Sequence, residues 1–223
     1  MADSTQSIQA TLRELPSLAG PLPPSELDHL PDTPQDAIQI WLSHAISEKV
    51  KEPHAMTLST VDPEGQPDAR VLILKDLDDR GWHFAISADS AKGRQMAASP
   101  KVALSFYWPQ LGRQVRLRGS AVALSEAESA QSFRGRSAGA RATAAASRQS
   151  QVLGGADELR GRLGEARRLV RESPDFVLPA WRACVVRPDA VEFWQGASDR
   201  MHERLQYVRG ADGDAWEKRR LWP

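Results

Sequence analysis

The sequence predicts a mainly β protein, in which an antiparallel barrel of strands is flanked by helices. Several short segments alternate between apolar and polar residues, as strands with one buried face do. The connections between many of them have the length of turns, which favours antiparallel pairing of neighbouring strands. Strands and helices do not alternate regularly, which argues against a Rossmann or TIM-barrel fold and for a closed or nearly closed barrel.

The first firm element is a helix that begins at residues 33–36. Thr33 can cap its free amide groups, Pro34 suits its first position, and Asp36 suits the positive end of its dipole. Further helices are expected at 91–98, from 125 onwards and around 159–170, while residues 135–147 fit a helix or a loop equally well. The predicted strands are 55–61, 70–75, 82–87, 102–108, 114–122, 181–186, 191–195, 205–209 and 216–221.

The 223 residues divide into an arm and one domain of ordinary size. Residues 1–32 are rich in Ser, Pro and Asp, a composition that predicts a mobile arm. Residues 33–223 are expected to form the domain. Lysine and arginine together number 29, as do aspartate and glutamate, so the net charge is zero. That balance argues against a general nucleic-acid or membrane-surface binder.

The expected location is the cytoplasm. The first residues lack the basic and apolar regions of a signal peptide. No apolar stretch reaches the roughly 20 residues that a membrane-spanning helix needs. The single cysteine, Cys184, cannot form a disulfide framework and lies in an apolar run, which indicates a small buried side chain.

Familiar catalytic templates are missing or stand in the wrong context. The sequence contains no P-loop, no strand followed by G-x-G-x-x-G and no H-E-x-x-H, and its five histidines are scattered, so no metal site is expected. Residues 135–139 match G-x-S-x-G, but they follow a predicted helix, whereas a nucleophile elbow follows a strand. We interpret that match as chance.

Basic and amide side chains are instead found at strand ends and at one helix start. Amide groups at a helix start and cationic side chains both favour phosphate. Trp194 precedes the last of these groups and could lie against a flat ring. The pattern therefore indicates a pocket for one or two phosphorylated small molecules. The groups are Arg70 and Lys75; Ser90 and Lys92; Arg148, Gln149 and Ser150; and Arg200, His202 and Arg204, which would point the same way if their segment were extended.

At this point the sequence resembles the pyridoxamine 5′-phosphate oxidase family. The likeness extends from about residue 35 to the end of the chain, and the order and spacing of the matching stretches make it specific. These stretches are residues 59–67, 70–75, 113–115, 147–150, 191–196, 200–204 and the final Arg-Leu-Trp-Pro at 220–223.

The resemblance implies a split-barrel homodimer with two FMN sites at the subunit interface. It implies that Lys92, Gln149 and Ser150 hold the phosphate and ribityl chain, and that Gln114 approaches the isoalloxazine ring. Trp194 and Arg204 would complete the cofactor site. The remaining flavin-lining residues would be Arg70, Val71, Leu72, Ile73, Leu74 and Lys75, with Ala85 and Ile86; the substrate would contact Lys75, Arg136, Arg200 and His202.

The reaction implied by the resemblance is an oxidation. A hydride leaves the substrate carbon next to an amine or alcohol and goes to flavin N5, and molecular oxygen then reoxidises the flavin and yields hydrogen peroxide. The protein supplies geometry and charge. Arg200 and His202 are the expected catalytic residues, which orient the substrate over the ring, with His202 a candidate for proton transfer.

Three departures from the family pattern concern phosphate binding. Ser132 stands where the family has Tyr, Ala140 where it has Ser, and Ala91 where it usually has Arg. Each lost charge-assisted hydrogen bond is worth roughly 1.5–3 kcal/mol. Residues 88–94, 107–108, 146–150 and 202–205 resemble the phenazine-pathway oxidases of the same family, which act on phosphate-free dihydrophenazines.

Three functions therefore stay open. A vitamin B6 phosphate oxidase is the preferred one, since Lys75 is typical of that branch. A phenazine-pathway oxidase is the main alternative. A split barrel that only carries flavin or haem is the third, although the Arg200 and His202 pair beside Trp194 argues against it.

Overall fold

The computed structural model describes residues 7–210 and 215–223, and these contain nine strands and six α-helices. The helices are α1 (Ile8–Glu14), α2 (Pro34–Ser47), α3 (Ala91–Ala98), α4 (Glu126–Arg134), α5 (Ala138–Ala146) and α6 (Ala156–Glu172). The strands are β1 (Ala55–Val61), β2 (Pro67–Ile73), β3 (Asp76–Asp78), β4 (Gly81–Ser87), β5 (Lys101–Trp108), β6 (Arg113–Ala123), β7 (Trp181–Gln195), β8 (Glu203–Arg209) and β9 (Trp216–Leu221).

All nine strands belong to one antiparallel sheet, in the order β2-β1-β5-β6-β7-β4-β3, with β8 and β9 joined to β7. The long strand β7 is the centre of this sheet. Its whole length pairs with β6, while its other edge pairs with β4 over residues 181–186 and with β8 over residues 190–195. The sheet thus divides along β7, and the predicted split antiparallel barrel with flanking helices is confirmed.

The sequence predicts two strands where the structure has the single strand β7. The prediction stops at residue 186 because Pro188 has no amide hydrogen and is usually excluded from a central strand. In the structure Pro188 lies opposite Gly119, at the point where the register between β6 and β7 shifts. An irregularity of this kind accommodates a proline, so the strand continues through it.

Side-chain caps begin the helices where the sequence predicts them. The Thr33 hydroxyl accepts the Asp36 amide at the start of α2, and Ser90 Oγ accepts the Gly93 amide at the start of α3. Ser125 and Glu128 form a complete capping box on α4. The stretch left open between helix and loop contains α5.

The main core lies between α2 and one face of the sheet. Trp41 of α2 is fully buried and packs edge-on against Phe193 of β7, with 5.1 Å between ring centroids. Leu58, Phe106 and Val115 extend this core along the sheet. A smaller cluster between α5 and α6 is built mainly from alanines and Val170.

The last part of the N-terminal arm packs on the domain, which differs from a mobile arm that ends at residue 32. Leu27 and Leu30 are buried in the main core. The Tyr207 hydroxyl donates to the carbonyl of Pro31 at 2.7 Å, and Lys218 Nζ donates to that of Leu30 at 2.7 Å. Helix α1 buries none of its residues. Among the described residues, no helix has the length and apolarity that a bilayer crossing requires.

Candidate functional site

A cavity of about 730 Å³ is bounded by β2, β4, the start of α3, helices α4 and α5, and the first residue of β7. Alternation along β2 and β4 turns one side chain in two towards this space. Nine residues predicted to hold cofactor or substrate line the cavity: Val71, Leu72, Ile73, Lys75, Ala85, Ile86, Lys92, Arg136 and Gln149.

Residues 147–150 are attached to the start of α3. Lys92 Nζ donates to Gln149 Oε1 at 2.9 Å, and the Ala91 amide donates to Ser150 Oγ at 3.0 Å. Ser150 has φ of 70°, a left-handed conformation that is uncommon outside glycine. Three residues that the sequence analysis assigns to the FMN phosphate and ribityl chain are thereby brought together from two distant segments.

Arg70 and Leu74 do not line the cavity, unlike the rest of their segment. The Arg70 guanidinium donates to Thr60 Oγ1 at 2.6 Å and to Gln95 Oε1 at 3.2 Å, and it forms an ion pair with Asp68. Leu74 is 8% exposed and belongs to the core. A direct flavin contact for these two side chains stays a prediction.

The cationic end of the cavity has the donor set that a phosphate needs. Half-burial lowers the pKa of Lys92, and repulsion from the nearby Arg70 lowers it further. An anion placed between these charges would relieve both effects, and the amide groups at the start of α3 add donors. The cavity volume lies within the roughly 300–1,000 Å³ of small-molecule sites. The residues present therefore fit FMN.

A second polar group on the cavity wall is centred on Trp181. The Arg136 guanidinium lies over its indole ring, 4.2 Å from the centroid, and donates to the Ala140 carbonyl at 3.1 Å. The indole Nε1–H points to Ser132 Oγ at 3.4 Å. Burial lowers the pKa of Arg136, which forms no ion pair with any described residue. Its charge is thus available to an anionic ligand.

The other predicted site residues form a second cluster around the end of β7. Gln114 of β6 lies opposite Trp194, and the Trp194 and His202 rings are 4.8 Å apart. The Ala197 amide donates to His202 Nδ1 at 3.1 Å. Because Nδ1 accepts this bond, the neutral imidazole carries its proton on Nε2. His202 therefore offers a donor to a ligand that lies beside Trp194.

Arg204 is held in this cluster by a buried carboxylate. Glu192 is 4% exposed and accepts hydrogen bonds from Arg204 Nε at 2.9 Å and from Arg116 Nη2 at 2.6 Å. Burial by itself would raise the pKa of Glu192, but these bonds outweigh it and hold the pKa below its usual value.

The alternation expected for Arg200, His202 and Arg204 is wrong. Arg200 has φ of 67°, and its amide donates to the Ala197 carbonyl at 3.1 Å, which closes a turn. Only Arg204 belongs to a strand, at the start of β8. A turn breaks the two-residue period of an extended segment, so spacing alone does not make the three side chains point one way.

The cavity and the second cluster lie at opposite ends of β7 in one chain. Trp181 begins the strand and Trp194 stands next to its last residue. The intervening backbone measures about 40 Å if extended. One chain therefore presents two separate groups of site residues. The sequence analysis missed Trp181 because it singled out no tryptophan outside the resemblance except by its proximity to basic residues.

Comparison with known proteins identifies relatives along most of the chain. Residues 42–169 match the family described as pyridoxamine 5′-phosphate oxidase, and residues 181–223 match the pyridoxine 5′-phosphate oxidase C-terminal dimerisation region. A pyridoxine/pyridoxamine 5′-phosphate oxidase of Thermosynechococcus vestitus is 42% identical, over 86% of this chain and 90% of the relative. One of Cupriavidus necator is 43% identical, over 89% and 92%.

A solved structure with a similar fold is PhzG from Burkholderia lata, determined in complex with tetrahydrophenazine-1-carboxylic acid. It has a TM-score of 0.82 and 32% identity, and the match covers 91% of this chain and 98% of that one. The similarity in sequence and in fold thus extends over both groups of site residues. The chain belongs to the pyridoxamine 5′-phosphate oxidase family of FMN-dependent oxidoreductases, as its sequence motifs predict.

Proposed function

We propose that the protein oxidises pyridoxine 5′-phosphate and pyridoxamine 5′-phosphate to pyridoxal 5′-phosphate. One observation carries this proposal: a single cavity is lined by Lys75, Lys92 and Arg136, none of which forms an ion pair with a described residue. Two phosphorylated molecules, the cofactor and the substrate, would account for these separate cations. The names of the curated relatives support the same substrates.

The proposed cofactor site lies between two copies of the chain. The cavity supplies Lys92, Gln149 and the residues of β2, whereas Gln114, Trp194 and Arg204 come from the second cluster at the far end of β7. In a two-fold symmetric dimer, the cavity of one chain can face the second cluster of the other, and symmetry then makes two such sites. The match of residues 181–223 to a dimerisation region supports this arrangement.

Bound FMN would supply the redox chemistry, accepting a hydride from the substrate carbon and passing the electrons to molecular oxygen with release of hydrogen peroxide. The chain's own residues would bind and orient the substrate. Arg136 and Lys75 would hold its anionic group, and Arg200 would lie over the ring. His202 would donate from Nε2 to the substrate oxygen or amine, because its Nδ1 is occupied by the Ala197 amide.

A second candidate function is the oxidation of a dihydrophenazine precursor. The cavity wall has Ser132 and Ala140 at positions where the family carries two hydroxyl donors to phosphate, so this wall is less suited to a dianion. The fold is also similar to PhzG, which was crystallised with a tetrahydrophenazine carboxylic acid. Such a substrate carries a carboxylate, which Arg136 could hold.

The first experiment is an absorption spectrum of the purified protein, followed by peroxide release. We expect a flavin spectrum near one FMN per chain, and peroxide with pyridoxine 5′-phosphate and pyridoxamine 5′-phosphate. Turnover of a dihydrophenazine carboxylate alone would replace the first candidate by the second. Flavin binding without turnover of any of the three would indicate a flavin carrier.

The shared site is tested with hybrid dimers. Lys92→Ala and Trp194→Ala disable opposite halves of the proposed site, so each homodimer should be inactive. Refolding the two variants together should restore about a quarter of the wild-type activity, because half of the dimers are hybrids with one intact site of two. Mixing Lys92→Ala with Gln149→Ala, two changes in the same half, is the control. Recovery in the control, or none in the first mixture, would contradict a site shared between chains.

A further inference from the structure

The inference concerns the groups that surround Trp181 on the cavity wall, and it rests on the proposed function only in taking this cavity as the substrate site. The Arg136 guanidinium lies 4.2 Å from the centroid of the Trp181 ring. One of its nitrogens donates to the Ala140 carbonyl at 3.1 Å. The stack and the single hydrogen bond fix the plane of the guanidinium while leaving other N–H groups uncommitted.

Ser132 is oriented by the same indole. Trp181 Nε1–H is 3.4 Å from Ser132 Oγ, a long hydrogen bond in which the serine oxygen accepts. The hydroxyl proton of Ser132 is then free to donate in another direction. Both Ser132 and Arg136 line the cavity, so the two polar groups that remain on this wall depend on one ring.

Trp181 is itself held rigidly. It is 8% exposed, and Phe133 packs edge-on against it with 5.5 Å between ring centroids. Its amide donates to the Leu178 carbonyl at 2.9 Å, and it lies opposite Ser87 as the first residue of β7. A rigid strand-borne ring is a better support for an arginine than a flexible loop would be.

We propose that Trp181 is a positioning residue that aims Arg136 and Ser132 at the anionic group of the substrate. A free arginine side chain samples many rotamers and loses that freedom when it binds a ligand. The stack on Trp181 restricts the guanidinium in advance, which lowers this cost. In a cavity where Ala140 provides no hydroxyl, the affinity for an anion depends on this one prepared group.

The experiment compares ligands with and without an anionic group on the FMN-loaded enzyme. The dissociation constants of pyridoxal 5′-phosphate and pyridoxal are measured by calorimetry, as are those of phenazine-1-carboxylate and phenazine. Trp181→Leu should weaken the preferred anionic ligand about 5- to 30-fold. It should leave its neutral counterpart within about 2-fold. Trp181→Phe keeps an aromatic face and should lose less affinity than Trp181→Leu.

Two controls separate positioning from a general loss of structure. Trp216→Leu removes an indole over which an arginine, Arg209, also stacks, at 4.4 Å, but outside the cavity. It should change neither ligand preference nor flavin content. In an Arg136→Ala background, Trp181→Phe should have no further effect on anion binding, because the group that Trp181 aims is gone.

The outcomes distinguish this inference from the proposed function. If the wild type prefers the carboxylate and does not turn over B6 phosphates, the proposed substrate is wrong but the role of Trp181 is still tested on the carboxylate. Equal weakening of charged and neutral ligands by Trp181→Phe, or additive effects with Arg136→Ala, would overturn the inference. So would a wild type that binds neither anion better than its neutral counterpart.

Discussion

Replacing Glu192 by Gln removes the charge that holds Arg204 at the second cluster. Arg204 is 26% exposed, and its bond to Glu192 is a partly buried, charge-assisted one worth about 1.5–3 kcal/mol. Arg116 is 55% exposed, so solvent reduces its share to about 0–1 kcal/mol. We therefore expect Glu192→Gln to lower the free energy of unfolding by about 2–4 kcal/mol.

Urea unfolding of the flavin-free protein is the appropriate assay, because bound FMN would add stability of its own. The protomer concentration must be the same for each variant, since dissociation of a dimer contributes to the measured free energy. In thermal unfolding, the same loss corresponds to a midpoint about 4–16 °C lower.

The pH dependence gives an independent check. The folded pKa of Glu192 lies below its usual value, so the carboxylate stabilises the fold above about pH 4.5. This contribution is lost as the pH falls through the folded pKa, where the carboxylate becomes protonated. The difference between wild type and Glu192→Gln should therefore be full at pH 7 and should shrink below about pH 4.5.

Glu217→Gln is the matched control on the same sheet. Glu217 pairs with Arg219 at 2.6 Å, but both side chains are 55% exposed, so its loss should cost less than about 1 kcal/mol. A Glu192→Gln variant within about 0.5 kcal/mol of wild type would refute the reasoning. A difference that persists unchanged to pH 3 would refute the assignment of the effect to the carboxylate charge.

Three further outcomes are expected. Gly119→Ala should destabilise the protein by about 1–3 kcal/mol or more in urea unfolding, because an added Cβ would lie 2.1 Å from the Arg187 carbonyl oxygen; Gly161→Ala, which meets nothing within 4 Å, is the control and should not destabilise. Cys184 should resist a thiol reagent at pH 8 until the protein unfolds, since burial raises the pKa of its thiol to about 12; labelling of the folded protein would contradict this. Asp78→Asn should lose stability near neutral pH but match wild type towards pH 2, because burial is outweighed by bonds from His83 and Arg80 that hold the Asp78 pKa at about 2; equal stability at pH 7 would count against it.

Local signals allowed much of the fold to be predicted. Thr33 with Pro34 predicts the start of α2, and Ser125 with Glu128 predicts α4, because capping depends on residues three apart in the chain. Most strand positions followed in the same way from alternation. The family motifs then predicted a flavin site, and the cavity brings most of that set together around Lys92.

Features that depend on distant residues were not predictable in this way. Pro188 breaks the strand pattern locally, and only its partner Gly119 on β6 shows why β7 continues. The turn at Arg200 depends on a backbone bond that alternation cannot reveal. Trp181 acquires its importance from Arg136, which lies 45 positions earlier in the chain and reaches the ring only in the folded structure.

The continuous run of β7 places a parity rule on the chain. Side chains alternate between the two faces of a strand, so inserting or deleting one residue between Trp181 and Trp194 would turn every later side chain onto the opposite face. Trp194 would then exchange faces with its buried neighbour Phe193, while Trp181 kept its place. The length of this segment can therefore change without inverting one end only by an even number of residues, or by a further bulge that absorbs the odd one.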